Sequence, residues 1–294
     1  MKILITGSSG LLGQYLNQQL ALKNDILCLY NNNIGNCIHF NSAKVDITNA
    51  IKLEEIFSSF KPEVTIHTAA VSSPNKALEL PPKTVYKINV NAAAGIANLC
   101  KKYNSKLIYT STDLVYAGYR GSMLKENAKL IPISLYAETK LMGEQKICET
   151  FDNYIILRTA LLFGFGMNGR SNFFHEVYLK LKSGNSVNLF YNQYRTPLAL
   201  QNAAEIIEQI CNTNVKEEII NFGGSERVSR VELGEILCDA AGFDKNLINK
   251  ISMYEIPDLP HVEDVSMNTD KLQSYGIKQK SIEQSIREIL SSIK

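Results

Sequence analysis

The chain has 294 residues, 45% of them hydrophobic and 20% charged, with a net charge of +2 at pH 7. That length allows one large domain or two ordinary ones around a sizeable core. A near-neutral balance argues against nucleic-acid or membrane-surface binding, which needs Lys and Arg clustered on one face, and no apolar run reaches the length of a membrane span.

In chain order, "KILITG" is a short apolar strand ending in glycine, and "GLLGQYLNQQLALK" has helical spacing of Leu11, Leu12, Tyr15, Leu16 and Leu20. Strands "DILCLY" and "AKVDI", the helix "IKLEEIFSSF" and the strand "EVTIHTAA" follow. A long helix, "TVYKINVNAAAGIANLCKKY", leads to the strand "KLIYTST", then to a helix carrying Tyr136 and a strand "NYIILRTALLF". Continuous apolar strands separated by helices predict a doubly wound α/β fold, a parallel Rossmann sheet covered on both faces. Residues 1–164 read as a dinucleotide-binding domain. Residues 165–294 read as mainly a smaller α+β substrate lobe, with a segment near 199–224 returning to the first sheet. Within that lobe "FGMNGRSN" is a loop, "FFHEVYLKLKSG" a helix stopped at Gly184, and "VSRVELGEILCDAAG" a helix with a capping box from Ser229 to Glu232 and a stop at Gly242. The closing "SIEQSIREILSSIK" is an amphipathic helix. Six cysteines (Cys28, Cys37, Cys100, Cys148, Cys211, Cys238) show no Cys-x-x-Cys pair. Reduced, buried thiols in a cytoplasmic protein are expected. Neither they nor the four histidines have ligand spacing, so no metal site is expected.

The first motif with chemistry is "TGSSGLLG", with Gly7, Gly10 and Gly13 between the first strand and the first helix. Glycine permits the tight turn and lets a pyrophosphate reach the backbone, while the helix N-terminus offers free N–H groups. An acid at the end of the second strand would mark NAD, and an arginine nearby NADP. The chain has "YNNN" there, Tyr30 to Asn33, so the choice between NAD and NADP stays open. The stretch "SLYAETKLMGEQ" holds Tyr136 and Lys140 on one helix face. A second Tyr-x-x-x-Lys pair, Tyr178 and Lys182, shows how little that spacing decides alone.

Taken in order, "TGSSGLLG", "HTAA", "STDLVY", "YAETK" and "LRTALLFG" resemble the extended short-chain dehydrogenases/reductases, and within them the dTDP-4-dehydrorhamnose reductase branch. Ser111-Thr112-Asp113 before Val115-Tyr116, Pro132 before the Tyr-x-x-x-Lys, Gly143-Glu144 after it and the late "VSMNTDKLQSYGI" carry the branch likeness, which runs nearly end to end. The resemblance implies Thr112, Tyr136 and Lys140 as catalytic residues. It implies cofactor contacts from Gly7, Gly10, Leu11, Leu12, Gly13, Asp46, Ile47, Ala69, Ala70, Tyr136 and Lys140, with Asp46 near the adenine. Tyr178, in contrast, fits an apolar helix face. Lys140 is expected to lower the Tyr136 pKa from the usual value of about 10. Tyr136 would then protonate a carbonyl as hydride arrives, with Thr112 holding the same oxygen.

Asp113 either orients the sugar or caps a turn, and Arg195 either grips a diphosphate or is a surface charge. Leu114 stands where the family's 4,6-dehydratases carry a second carboxylate, which disfavours dehydration. Three departures from the branch concern the substrate. Its Arg-Thr-Ser-Trp becomes Arg158-Thr159-Ala160-Leu161 in a chain with no tryptophan, its Gly-Ser-Pro-Thr becomes Arg195-Thr196-Pro197-Leu198, and Leu259, not arginine, precedes Pro260. The lost aromatic would cost a stacked base or sugar roughly 1–3 kcal/mol. The function implied is NAD(P)H-dependent reduction of the keto group of a nucleotide-linked sugar. The alternatives are a nucleotide-sugar 4-epimerase using the same site and a non-catalytic subunit of the methionine adenosyltransferase regulatory type. Family members pair through helices of this sheet, so a homodimer is an expectation.

Overall fold

The structure is a computed structural model that describes residues 1–256 and 261–292. Leu259 and Pro260, where the sequence departs from the branch, lie outside the described residues. Seven parallel strands form the central sheet: β1 (Lys2–Thr6), β2 (Asp25–Tyr30), β3 (Ser42–Lys44), β4 (Val64–His67), β5 (Lys106–Thr110), β6 (Tyr154–Thr159) and, at the far edge, Glu218–Phe222. From that edge the order runs Glu218–Phe222, β6, β5, β4, β1, β2, β3. The chain direction of winding reverses between β1 and β4, so a crevice opens there at the carboxyl ends of the strands.

Helices α1 (Leu11–Leu20) and Leu200–Cys211 cover one face through Leu12, Leu16, Leu20, Ile206, Ile207 and Ile210. On the other face lie α2 (Ala50–Phe60), α5 (Ala92–Tyr103) and α6 (Leu135–Thr150), packed through Phe57, Ile96, Cys100 and Ile147. Two short helices, α3 (Pro74–Leu78) and α4 (Pro82–Tyr86), precede α5. The doubly wound α/β expectation is therefore met. A separate apolar cluster built on Phe174, Tyr178, Leu189, Leu233 and Ile286 forms the core beneath the later helices. Tyr178 lies inside it, its ring 4.8 Å from that of Phe165, which places the second Tyr–Lys pair in packing.

Three local expectations need correction. The run "NYIILRTALLF" is not one strand: it breaks after Thr159, and Leu162–Phe163 turns away to pair with Leu198–Ala199. The long helix before β5 is interrupted by a π-helical turn, Lys87–Asn91. Cys148 is exposed, whereas the other five thiols are buried. No helix among the described residues is long and apolar enough to cross a membrane.

Candidate active site

A cleft of about 800 Å³ follows the carboxyl ends of the strands. Its lining includes Gly7, Gly10, Leu11, Leu12, Gly13, Asp46, Ile47, Ala69, Ala70, Thr112, Asp113, Tyr136, Lys140 and Arg195, so all the residues singled out from the sequence meet in one place. Gly7 has φ +70°, and a Cβ there would stand 2.6 Å from the Ala69 nitrogen. A Cβ at Gly13 would run into the Gly7 carbonyl oxygen. Helix α1 starts from Gly10 with no side-chain cap and no acid in its first turn. Its leading N–H groups and positive end are thereby left for an external anion. Asp46, exposed at the rim, accepts a 2.8 Å bond from the Thr48 N–H. The glycine cradle, the uncapped helix and the volume of the cleft fit a dinucleotide.

Thr112 leaves β5 in extended conformation just where the strand ends, and α6 presents Tyr136 and Lys140 from its first two turns. All three are buried. The Thr112 hydroxyl donates to Asp113 Oδ1 at 3.2 Å and accepts from the Leu114 N–H at 3.3 Å. The predicted electrostatics are reversed here. Burial pushes the Tyr136 pKa up to about 12, with Thr112 opposing and the Asp113 charge adding to the rise. Lys140 does not pull it down, because burial drives the ammonium towards its neutral form and lowers its own pKa to about 7, Glu144 opposing. Its Nζ leans over the Tyr109 ring, 4.1 Å from the centroid.

Asp113 and Arg195 are both buried in the cleft, Arg195 Nε standing 3.6 Å from Asp113 Oδ2. Arg195 is thus no surface charge, and Asp113 does more than cap a turn. A third charge that the sequence reading did not single out, Arg230, lines the same cleft. Its Nε donates to Gln193 at 3.0 Å and its guanidinium lies 4.6 Å over the Phe173 ring. The signal was available: Arg230 opens the helix Arg230–Ala241, where the helix dipole disfavours a cation. Also missed was Arg170, which lines the cleft and donates from Nε to the Ser9 carbonyl at 3.1 Å.

The π-helical turn explains how the site is held. Asn89 projects from it, accepting from the Val71 N–H at 2.9 Å and donating to Thr139 Oγ1 at 3.1 Å. One amide side chain therefore ties the loop after β4 to α6, between Tyr136 and Lys140, as π turns often do beside functional sites. Further along α6, Glu144 forms a buried pair with Arg158 of β6 at 2.8 Å.

The model of the RmlD substrate binding domain family matches residues 1–294. Among curated proteins, the dTDP-4-dehydrorhamnose reductase of Aggregatibacter actinomycetemcomitans is 28% identical over 98% of this chain and 98% of its own length. Methionine adenosyltransferase 2 subunit beta of Pongo abelii is 23% identical, covering 95% of this chain and 84% of that protein. The crystal structure of dTDP-4-dehydrorhamnose reductase from Bacillus anthracis in complex with NADP superposes with a TM-score of 0.86 at 22% identity, over 99% of each chain. A cleft built around Thr112, Tyr136 and Lys140, on a chain matched from end to end, has one family reading: the chain belongs to the RmlD substrate binding domain family.

Proposed function

We propose that the protein is an NAD(P)H-dependent reductase of the keto group of a nucleotide-linked sugar, of the dTDP-4-dehydrorhamnose reductase kind. The observation that carries this reading is the convergence of Thr112, Tyr136 and Lys140 in the same cleft as the glycine cradle. Gly7, Gly10, Leu11, Leu12 and Gly13 would hold the pyrophosphate, Asp46 and Ile47 the adenosine end, and Ala69, Ala70, Tyr136 and Lys140 the nicotinamide half. The bound cofactor supplies a hydride to the carbonyl carbon. Tyr136, held protonated at neutral pH by burial, donates its proton to the carbonyl oxygen and is reprotonated from solvent. Thr112 would turn its one hydroxyl proton from Asp113 onto that oxygen and fix its direction. Leu114 leaves no second carboxylate beside Asp113 to drive water elimination. The six free thiols support a cytoplasmic location, and a homodimer through the sheet's helices is part of the same reading.

Mixing the protein with a panel of nucleotide-linked keto-sugars and either NADH or NADPH tests it, with stoichiometric loss of reduced-nicotinamide absorbance expected. Interconversion without net loss would make the protein an epimerase, and cofactor binding with no turnover a regulatory subunit. Tyr136→Phe should lower kcat by about 10²- to 10⁴-fold while NAD(P)H still binds. Undiminished turnover in that variant would overturn the catalytic role.

A further inference from the structure

The positive charge beside Thr112 exceeds what the cleft needs for its own balance. Arg195 and Arg230 both line the cleft, where the nearest carboxylate is Asp113, with Asp264 acting on Arg195 as the weaker second. The next carboxylate, Asp264, is engaged by Arg227 at 2.7 Å. Burial and the charge of Arg195 push the Arg230 pKa down to about 9, which leaves it a destabilised cation at neutral pH. Two polar atoms here are buried without a hydrogen-bond partner among the described residues: Arg230 Nη1 and Asp113 Oδ2. A buried donor left unpaired is destabilising, so the site is built for something that brings an acceptor and a negative charge.

We propose that Arg195 and Arg230 hold a carboxylate carried by the sugar ring next to its keto carbon, so that the preferred substrate is a nucleotide-linked keto-sugar acid. This deepens the reductase reading and rests on it. Position separates the carboxylate from the substrate's other anion, its diphosphate. Thr112, which holds the reacting oxygen in that reading, has its hydroxyl 3.2 Å from Asp113 Oδ1, and Asp113 contacts Arg195. The arginines therefore begin one side chain beyond the carbonyl. In a 4-keto sugar the anomeric diphosphate sits across the ring from the keto carbon, whereas the exocyclic carbon hangs from the ring atom beside it. A carboxylate at that exocyclic carbon would meet the guanidinium donors. Asp113 Oδ2 would accept from a neighbouring hydroxyl.

Calorimetric titration of the NADPH-saturated protein with UDP, UDP-glucose and UDP-glucuronate tests the assignment. UDP-glucuronate should bind about tenfold or more tightly than UDP-glucose, the scale of a charge-assisted bidentate contact. In Arg230→Met that preference should fall below about twofold with NADPH affinity retained, and Arg230→Lys should keep part of it. Equal or tighter binding of UDP-glucose by the unaltered protein overturns the proposal, and so does an Arg230→Met variant that weakens all three ligands equally, which would assign the arginines to the diphosphate. If Arg230→Met fails to bind NADPH, the ranking by the unaltered protein and by Arg230→Lys decides. If none of the three binds while NADPH does, the nucleotide-sugar reading falls and takes this one with it. Binding without the glucuronate preference removes this one alone.

Discussion

At Lys140 the cost of leaving water outweighs two attractive neighbours. The Tyr109 ring face and the Glu144 carboxylate both favour the ammonium, yet burial brings its pKa down to about 7. An unfolded lysine titrates near 10.4, so between about pH 7 and that value the unfolded chain binds the extra proton. Stability contributed at this position therefore rises with pH across that window, and the cost of the buried charge is fully present below it. Two measurements check this on the protein without ligands. The Lys140 side-chain carbon signal in isotope-labelled protein should titrate close to pH 7, and Lys140→Met should flatten the rise in stability. A titration midpoint above pH 10 would refute the burial account. The meeting of Thr112, Tyr136 and Lys140 in one cleft was legible because the motifs around them occur in the order that resembles the extended short-chain dehydrogenases/reductases, whereas the Tyr-x-x-x-Lys spacing, shared by Tyr178 and Lys182, decides little alone. Burial of Arg195 was not, since an arginine in a two-residue strand, Tyr194–Arg195, has no periodicity to mark which way it faces. The direction of the Tyr136 shift was misread for a related reason: residue type fixes a charge, but only the fold fixes how much water it keeps.

Helix α6 can carry the site only by lying unusually close to its neighbours. A Cβ at Gly143 would stand 2.6 Å from the Tyr109 hydroxyl and 2.9 Å from the Asn89 carbonyl oxygen, so the absent side chain sets the distance between α6, β5 and the π-helical turn. Gly143→Ala would ordinarily stabilise a helix by up to about 1 kcal/mol. Here overpacking should win, costing about 1–3 kcal/mol and shifting Tyr136 and Lys140 relative to Thr112. A lowered urea midpoint together with a reduced kcat is the expected result, and a variant more stable than the parent would show that the neighbours yield. Elements with long apolar runs or clear caps were readable, among them the strand cores and the Ser229–Glu232 capping box, which forms as predicted. The pairs Val187–Phe190 with Ile248–Ile251 and Tyr194–Arg195 with Val228–Ser229 were not. Strands of two to four residues are too short to show a period, and their partners lie far away in sequence. The break of β6 at Ala160 was hidden because both sides of it are apolar.

Across the whole molecule, one buried polar network joins segments that are distant in sequence. Arg158 donates to Glu144 on α6, to the Tyr116 hydroxyl at 3.0 Å and to the Glu126 carbonyl at 2.9 Å. Tyr116 in turn donates to Asn221 at 2.7 Å, and Asn221 donates to the carbonyls of Leu124 and Asn268. The site helix, the loop after Thr112, the last strand of the sheet and the late chain segment thus share one set of hydrogen bonds. Both charged side chains of the central pair are only 3% exposed, so neither can be re-solvated when its partner is removed. Arg158→Met should therefore cost about 3–5 kcal/mol, because it strands a buried carboxylate. Adding Glu144→Leu removes the stranded charge and should recover much of that loss. Recovery should stop short of the parent by about 1–3 kcal/mol, since the Glu126 carbonyl still lacks its donor and the Tyr116 hydroxyl keeps only Asn221. Urea unfolding of the parent, both single variants and the double variant gives the coupling directly. If the two single losses simply add in the double variant, the pair is not a coupled ionic unit, and the network would be only a set of independent hydrogen bonds.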